Sequence, residues 1–217
     1  MNWEAYLQAS EVVDWQHPTL LQLAQQLRAQ AMRQASQERR VTQTVIAQTC
    51  FEWVRDQICH SVDHQMNPVT WRASDVLKYK TGFCFAKSHL LAALLRANQI
   101  PTGFCYQRLS LDDQGEPYSL HGFNAVYLPE VGWYRIDARG NRIGIGAQFT
   151  PPIEQLAYAV QLPGEIDFPQ IWSEPLPIVI EKLQTSQAWQ AVLRHPPDWD
   201  PEATVALSDG SSVIRAQ

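Results

Sequence analysis

The feature that most constrains this chain is a change of pattern at Pro101. Before it, apolar residues recur at helical spacing; after it, the sequence turns aromatic and β-branched. Helices that come first and strands that follow, without alternation, predict an α+β fold with helices packed on one side of an antiparallel sheet. Leu20, Leu23, Ala24, Leu27 and Ala31 mark an amphipathic helix over Leu20–Gln34. A second helix is expected from about Thr42 to Ile58, burying Val45, Ile46, Thr49, Trp53 and Val54. Ser74 is placed to cap a short helical turn in "RASDVLKY". The third clear helix runs from Cys84 to about Ala97. It is rich in leucine and alanine, its Leu91, Leu94 and Leu95 belong inside, and Pro101 cannot continue it.

Three strands follow. They are "GFCYQRLSL", "GFNAVYL" and "WYRIDAR", separated by "DDQGEP" and "PEVG". After Asn141 the chain is punctuated by glycine and proline, with little periodicity until a helix expected around Glu181 to Leu193. "HPPDWDPE" reads as an exposed tail, and the last dozen residues are expected to be disordered. A length of 217 residues suits one substantial core. The expected organisation is a single domain over 1–217, with a core at about 42–141. A helical extension (1–40) precedes that core, and a wrap and tail (142–217) follow it.

Composition narrows the functions. A formal net charge of −5 argues against general affinity for nucleic acid or anionic lipid. No apolar run approaches the roughly 20 residues that span a bilayer. The first residues lack a basic stretch followed by an apolar one, so the cytoplasm is the expected location and Cys50, Cys59, Cys84 and Cys105 are expected as thiols. No CxxC pair is present. Cys59, His60 and His64 could touch a metal, but a polar face at a helix end explains them as well. Neither metal nor cofactor is expected.

The residues able to do chemistry are few. Cys84 opens a helix, where free N–H groups and the helix dipole favour an anion and could also hold an oxyanion. Gly82 is expected to let the chain turn sharply into that helix. The plainer reading is a small buried hydrophobe. A cysteine nucleophile needs a base, and the base needs a group to orient it. Among six histidines, His121 alone opens a predicted strand just after a loop. Asp137 lies inside the next strand, where aspartate is disfavoured and needs a reason. An ion pair with Arg135 or Arg139 would supply one; orienting His121 would supply another. A plain four-residue "PEVG" loop pairs Leu128 with Trp133 and sends the His121 and Asp137 side chains to opposite faces. Pairing the two requires an odd-length loop or a bulge near Pro129 to Gly132.

"GFCFAKSHLLAALLRANQIPTGF" followed by "HGFNAVYLPEVGWYRIDARGN" resembles the core of the transglutaminase-like superfamily, over about Asp75 to Asn141. "FEWVRDQI" and "SDVLKYKTGFC" resemble the segments that precede the cysteine in that family. The resemblance implies a papain-like fold, with Cys84 as nucleophile, His121 as general base and acid, and Asp137 as orienting group. It also implies that the Cys84 N–H supplies part of an oxyanion hole; Gln57, Asn67 and Trp71 are candidates for its side-chain donor. The chain departs from the family in having Phe123 where tryptophan is common and Gln99 where glycine is frequent before "IP". No acidic cluster resembles the calcium sites of the animal cross-linking enzymes.

The implied activity is a cytoplasmic cysteine hydrolase acting on a peptide, protein or small amide through a thioester acyl-enzyme. A transferase passing the same acyl group to an amine is the alternative within that chemistry. A non-catalytic binding or scaffolding module on the same fold is the alternative outside it.

Overall fold

The computed structural model describes residues 3–38, 42–199 and 213–215. A 3-10 turn at Glu4–Tyr6 precedes α1 (Pro18–Glu38) and α2 (Thr42–Gln57). Pro18 suits the first turn of α1, where its missing N–H has no intrahelical partner to lose. Leu20, Ala24, Leu27 and Ala31 of α1 are buried, as are Val45, Ile46, Thr49 and Val54 of α2, while Trp53 is partly buried. A short parallel pair, β1 (Cys59–His60) and β2 (Thr81–Gly82), brackets α3 (Ala73–Tyr79). Arg72, not Ser74, occupies the cap position of α3, and it makes no side-chain cap.

α4 (Cys84–Ala97) is the centre of the molecule. It packs against α1, α2 and α3 and also against β3 (Thr102–Ser110) and β4 (Tyr118–Leu128). Every residue from Cys84 to Arg96 is buried, the consequence of a helix with no face left for water. Its two buried cations find carbonyls. Lys87 Nζ donates to Ile58 O and to Arg55 O, at 3.2 Å for the latter, closing the C-terminal end of α2. The Arg96 guanidinium donates to the carbonyls of Gln8, Thr102 and Ser173. Beyond the helix end, Gln99 takes φ 60°, while the Ile100 N–H reaches back to Leu95 O at 3.0 Å. Left-handed backbone is the reason glycine is at home in that position.

The three predicted strands, the last of them β5 (Gly132–Ile136), form an antiparallel sheet, and the later chain extends it with β6 (Ile166–Asp167), β7 (Gln170–Trp172) and β8 (Val213–Arg215). The order is β5-β4-β3-β7-β8, with β6 also paired to β3. The β4–β5 hairpin differs from the four-residue expectation. Gly132, at φ 87°, joins the ladder opposite Leu128, which leaves Pro129, Glu130 and Val131 as an odd, three-residue loop.

One expected helix is two. α5 (Pro177–Thr185) starts on a proline and stops at the extended Ser186, and α6 (Trp189–Arg194) starts afresh. Asn67 causes the restart, since its Oδ1 accepts the Trp189 N–H at 3.0 Å. In the C-terminal segment Val213–Arg215 pairs with β7 in place of the expected disorder. The rest of the last dozen residues, 206–212 and 216–217, lies outside the described residues.

Candidate active site

Cys84 is the first residue of α4 and 9% exposed. The preceding Phe83 is extended and gives no side-chain cap, so no side chain competes for the N–H groups of the first turn. The pairing His60↔Gly82 sets β1 alongside the approach to the cysteine. Gly82 does not have the positive φ that a sharp turn would need; its role is space. A Cβ there would lie 3.0 Å from Ala86 Cβ and 3.2 Å from Thr70 Oγ1.

The three-residue hairpin loop decides the geometry of His121 and Asp137. Asp137 is not inside the strand as expected but one residue past the end of β5; with Asn124 opposite Ile136, the alternation of faces carried one residue further puts Asp137 on the side of His121. His121 Nε2 lies 2.7 Å from Asp137 Oδ2. Asp137 Oδ2 also accepts the Ala157 N–H at 3.1 Å, and Oδ1 accepts the Arg139 N–H at 3.0 Å. Arg135 pairs instead with Glu154 and Asp167, and Arg139 with Asp63. With Nε2 committed to Asp137, Nδ1 is the ring nitrogen left free, and Cys84 is near enough to act on the charge of the imidazole. Burial alone would push the His121 imidazole down. The charges of Asp137 and Cys84 and the hydrogen bond to Asp137 override it, raising its pKa to about 10. Burial likewise works against the Asp137 carboxylate, but His121 and the backbone donors hold it below its ordinary range.

Aromatic rings fix the imidazole plane. Phe123 stacks on His121 at 5.8 Å between centroids, and Tyr158 meets it edge-on at 4.9 Å. Phe123 thus provides the aromatic wall that tryptophan would offer elsewhere. A cleft of about 440 Å³ opens over the pair. His60, Asp63, Arg139 and Arg142 contribute a polar group of lining residues; Leu109, Leu120, Val192 and Pro197 contribute an apolar one. The Leu120 N–H donates to Pro197 O at 2.8 Å, so the C-terminal wrap forms one wall directly beside His121. Trp172 and Phe168, by contrast, pack into the core with Trp199.

A sequence profile of the transglutaminase-like superfamily matches residues 22–138, more than half of the chain and a span that includes Cys84, His121 and Asp137. The chain belongs to the transglutaminase-like superfamily. No curated protein matches it. Among solved structures, it is similar to a protein from Cytophaga hutchinsonii named provisionally as a cysteine protease, at 18% identity and a TM-score of 0.44, over 64% of this chain and 42% of that one. It is also similar to the periplasmic domain of TgpA from Pseudomonas aeruginosa, at 18% identity and a TM-score of 0.42, over 64% of this chain and 48% of that one. The chain therefore spans less than half the length of either.

Within this transglutaminase-like chain the oxyanion candidates Gln57, Asn67 and Trp71 are all absent from the cleft lining. Asn67 is occupied with the start of α6, and Trp71 lies under the Arg72 guanidinium at 4.4 Å. A polar side chain that does line the cleft with Cys84 is that of His60. It is 8% exposed, rests edge-on against Phe83, and its Nδ1 has no hydrogen-bond partner, lying 3.7 Å from Asp63 Oδ2. Burial and then the Arg139 charge hold its pKa down at about 3, so the ring is neutral and keeps one N–H to donate. His60, Asp63, Arg139 and Tyr158 were not legible as site residues. They reach the cleft of the cysteine through strand pairing and loop closure, which leave no spacing signal. Among the described residues no helix is long and apolar enough to cross a membrane, and no group of three or more His, Cys, Asp and Glu side chains converges on a metal-sized site.

Proposed function

We propose that this transglutaminase-like chain is a cysteine-dependent hydrolase of peptide or amide bonds. The observation that carries the reading is the 2.7 Å contact that turns Nε2 of His121 toward Asp137 and leaves Nδ1 for Cys84. An imidazolium beside a sulfur is the setting in which cysteines react as thiolates. In the proposed reaction Cys84 Sγ attacks the acyl carbon, and the developing oxyanion is held by the Cys84 N–H and by His60. His121 passes its Nδ1 proton to the leaving amine as the C–N bond breaks, leaving a thioester on Cys84. His121, now neutral, takes a proton from water, and the resulting hydroxide displaces the sulfur. The acid leaves, and the cysteine–histidine pair is restored. Asp137 keeps the ring oriented throughout and stabilises its charged form.

Four free thiols are consistent with a reducing, cytoplasmic setting for this chemistry. The test is alkylation with iodoacetamide across pH, with the modified residue located by mass spectrometry. Fast labelling of Cys84 at pH 6 to 7, weakened in His121→Ala, supports the reading. Burial pushes the Cys50 thiol up to about 12 and raises that of Cys105 as well, so neither competes. Labelling of Cys84 no faster than that of the other cysteines would remove the reading. Peptide amides assayed with and without an added primary amine then separate hydrolysis from acyl transfer.

A further inference from the structure

The polar group of cleft residues is not balanced in charge. Asp63 is its one carboxylate, and Arg139 holds both oxygens of it, at 2.6 and 3.0 Å. The second arginine, Arg142, reaches the same carboxylate only at 3.7 Å, and its side chain is 55% exposed. Among the described residues lining the cleft it is the one cation that is not hydrogen-bonded to a carboxylate. His60 is neutral and does not add to or offset this charge. Of the remaining anions of the cleft, Asp113 and Glu165, Glu165 stands with Ser110, because it accepts the N–H groups of Ser110, Gln161 and Leu162. The cleft is therefore cationic where β1 and the loop after β5 meet, and anionic beside the end of β3.

The backbone of Arg142 is also held in place. Its N–H donates to Ile145 O at 3.0 Å, and the Ile145 N–H returns to Arg142 O at 2.9 Å, around Gly144 at φ 80°. Asn141 Oδ1 accepts the Ala147 N–H at 2.8 Å and fixes the base of the same loop. A clamped turn thus presents to the cleft that holds Cys84 a guanidinium that only shares, at 3.7 Å, a carboxylate already bound by Arg139.

We propose that Arg142 binds a carboxylate on the substrate, so that the acyl donors this chain prefers are acidic. The proposal rests on the cysteine-nucleophile reading above. A guanidinium binds carboxylate through two parallel N–H donors, and its charge works at the approach of the substrate as well as in the bound state. The carboxylate belongs either to a side chain or to a chain terminus.

The experiment measures alkylation of Cys84 in the full chain by three reagents of matched size. N-iodoacetyl glutamate α-amide carries a side-chain carboxylate, N-iodoacetyl glutamine a terminal one, and N-iodoacetyl glutamine α-amide none. The readout is the rate for each acidic reagent divided by the rate for the neutral one, at low ionic strength, in wild type, Arg142→Ala, Arg142→Lys and Arg142→Glu. We expect a ratio about threefold higher in wild type than in Arg142→Ala, the size of one charge at a partly exposed position. Arg142→Lys keeps part of the preference, Arg142→Glu inverts it, and 0.5 M salt shrinks it. Whichever acidic reagent carries the preference identifies the source of the carboxylate. A ratio unchanged by Arg142→Ala and Arg142→Glu overturns this proposal alone. Slow labelling of Cys84 by all three reagents in wild type overturns the nucleophile reading and this proposal with it.

Discussion

Gly122 sits between His121 and Phe123 on β4, and Phe85 follows Cys84 on α4. A Cβ at Gly122 would lie 2.6 Å from Phe85 Cδ1, 3.3 Å from its Cε1 and 3.4 Å from Tyr106 Cε1. Ordinary contact begins near 3.4 Å, so Gly122→Ala must open the gap between strand and helix by about 0.8 Å. The ring edge that must move belongs to a residue 3% exposed that stands between β4 and the cleft wall, so any shift is made inside packed surroundings. The displacement therefore acts on the neighbours of both reacting residues. Overpacking of this kind costs about 1–3 kcal/mol, or about 2–4 °C in melting temperature for each kcal/mol in a chain of this size. Misplacing reacting groups by about 1 Å costs up to about a hundredfold in rate. The assay pairs the iodoacetamide rate of Cys84 at pH 7 with a thermal melt. Gly122→Ala is expected to lower the rate about 10- to 100-fold while lowering the melting temperature by only a few degrees. Adding Phe85→Ala removes the clashing ring edge but leaves a cavity, so the double variant is expected to regain rate while losing further stability. A Gly122→Ala protein that melts lower and still labels at the wild-type rate refutes the claim that this contact sets the alignment of Cys84 with His121.

Asp137→Asn preserves the shape of the site but removes the charge that supports the His121 imidazolium. Turnover is expected to fall by a factor of about 10² to 10⁴, and the alkaline limb of the pH profile, set near 10 by His121, moves to lower pH. His60→Ala is expected to lower turnover by about 10² or more while changing iodoacetamide labelling of Cys84 far less, because alkylation forms no oxyanion; equal losses in both would reduce His60 to a structural residue. Stability is expected to fall on the acid side. His89 is fully buried, and burial holds its pKa down at about 4 despite the 2.8 Å contact with Trp71 O. Its unfolded value is about 6.5, so its contribution is intact above pH 6.5 and is lost toward pH 4, at about 1.4 kcal/mol per pH unit. His60 acts in the same direction down to about 3. His121 has the opposite sign, since its raised pKa gives stability that is present below pH 6.5 and lost only as pH climbs through about 10. Urea unfolding at pH 7 and pH 5 checks the acid limb, and His89→Gln should flatten it.

The parts of this site that could be read from sequence are those written in local periodicity. The leucine- and alanine-rich run after Cys84 is buried on every side and could be little else, and the three strands after Pro101 lie where their aromatic and β-branched residues put them. The hairpin register was not legible in the same way. Loops of three and four residues are both compatible with "PEVG", and the choice between them rests on Gly132 entering the ladder at φ 87°. That one residue turns Asp137 from the far face of the sheet to the face of His121. The break between α5 and α6 depends on the Asn67 side chain, more than a hundred residues away in sequence, and His60 reaches the cleft of the cysteine only because β1 pairs with β2. Burial by periodicity is a property of neighbours in sequence, whereas the charge state of a site is a property of neighbours in space. His60 and His121 make the point together. Both are buried histidines lining the same cleft, yet one is held neutral beside Arg139 and the other is driven toward its cation by Asp137 and Cys84. Nothing in "CHSVD" or "SLHGF" separates them. The pairing of two strands and the length of one loop do, by deciding which charge each ring meets.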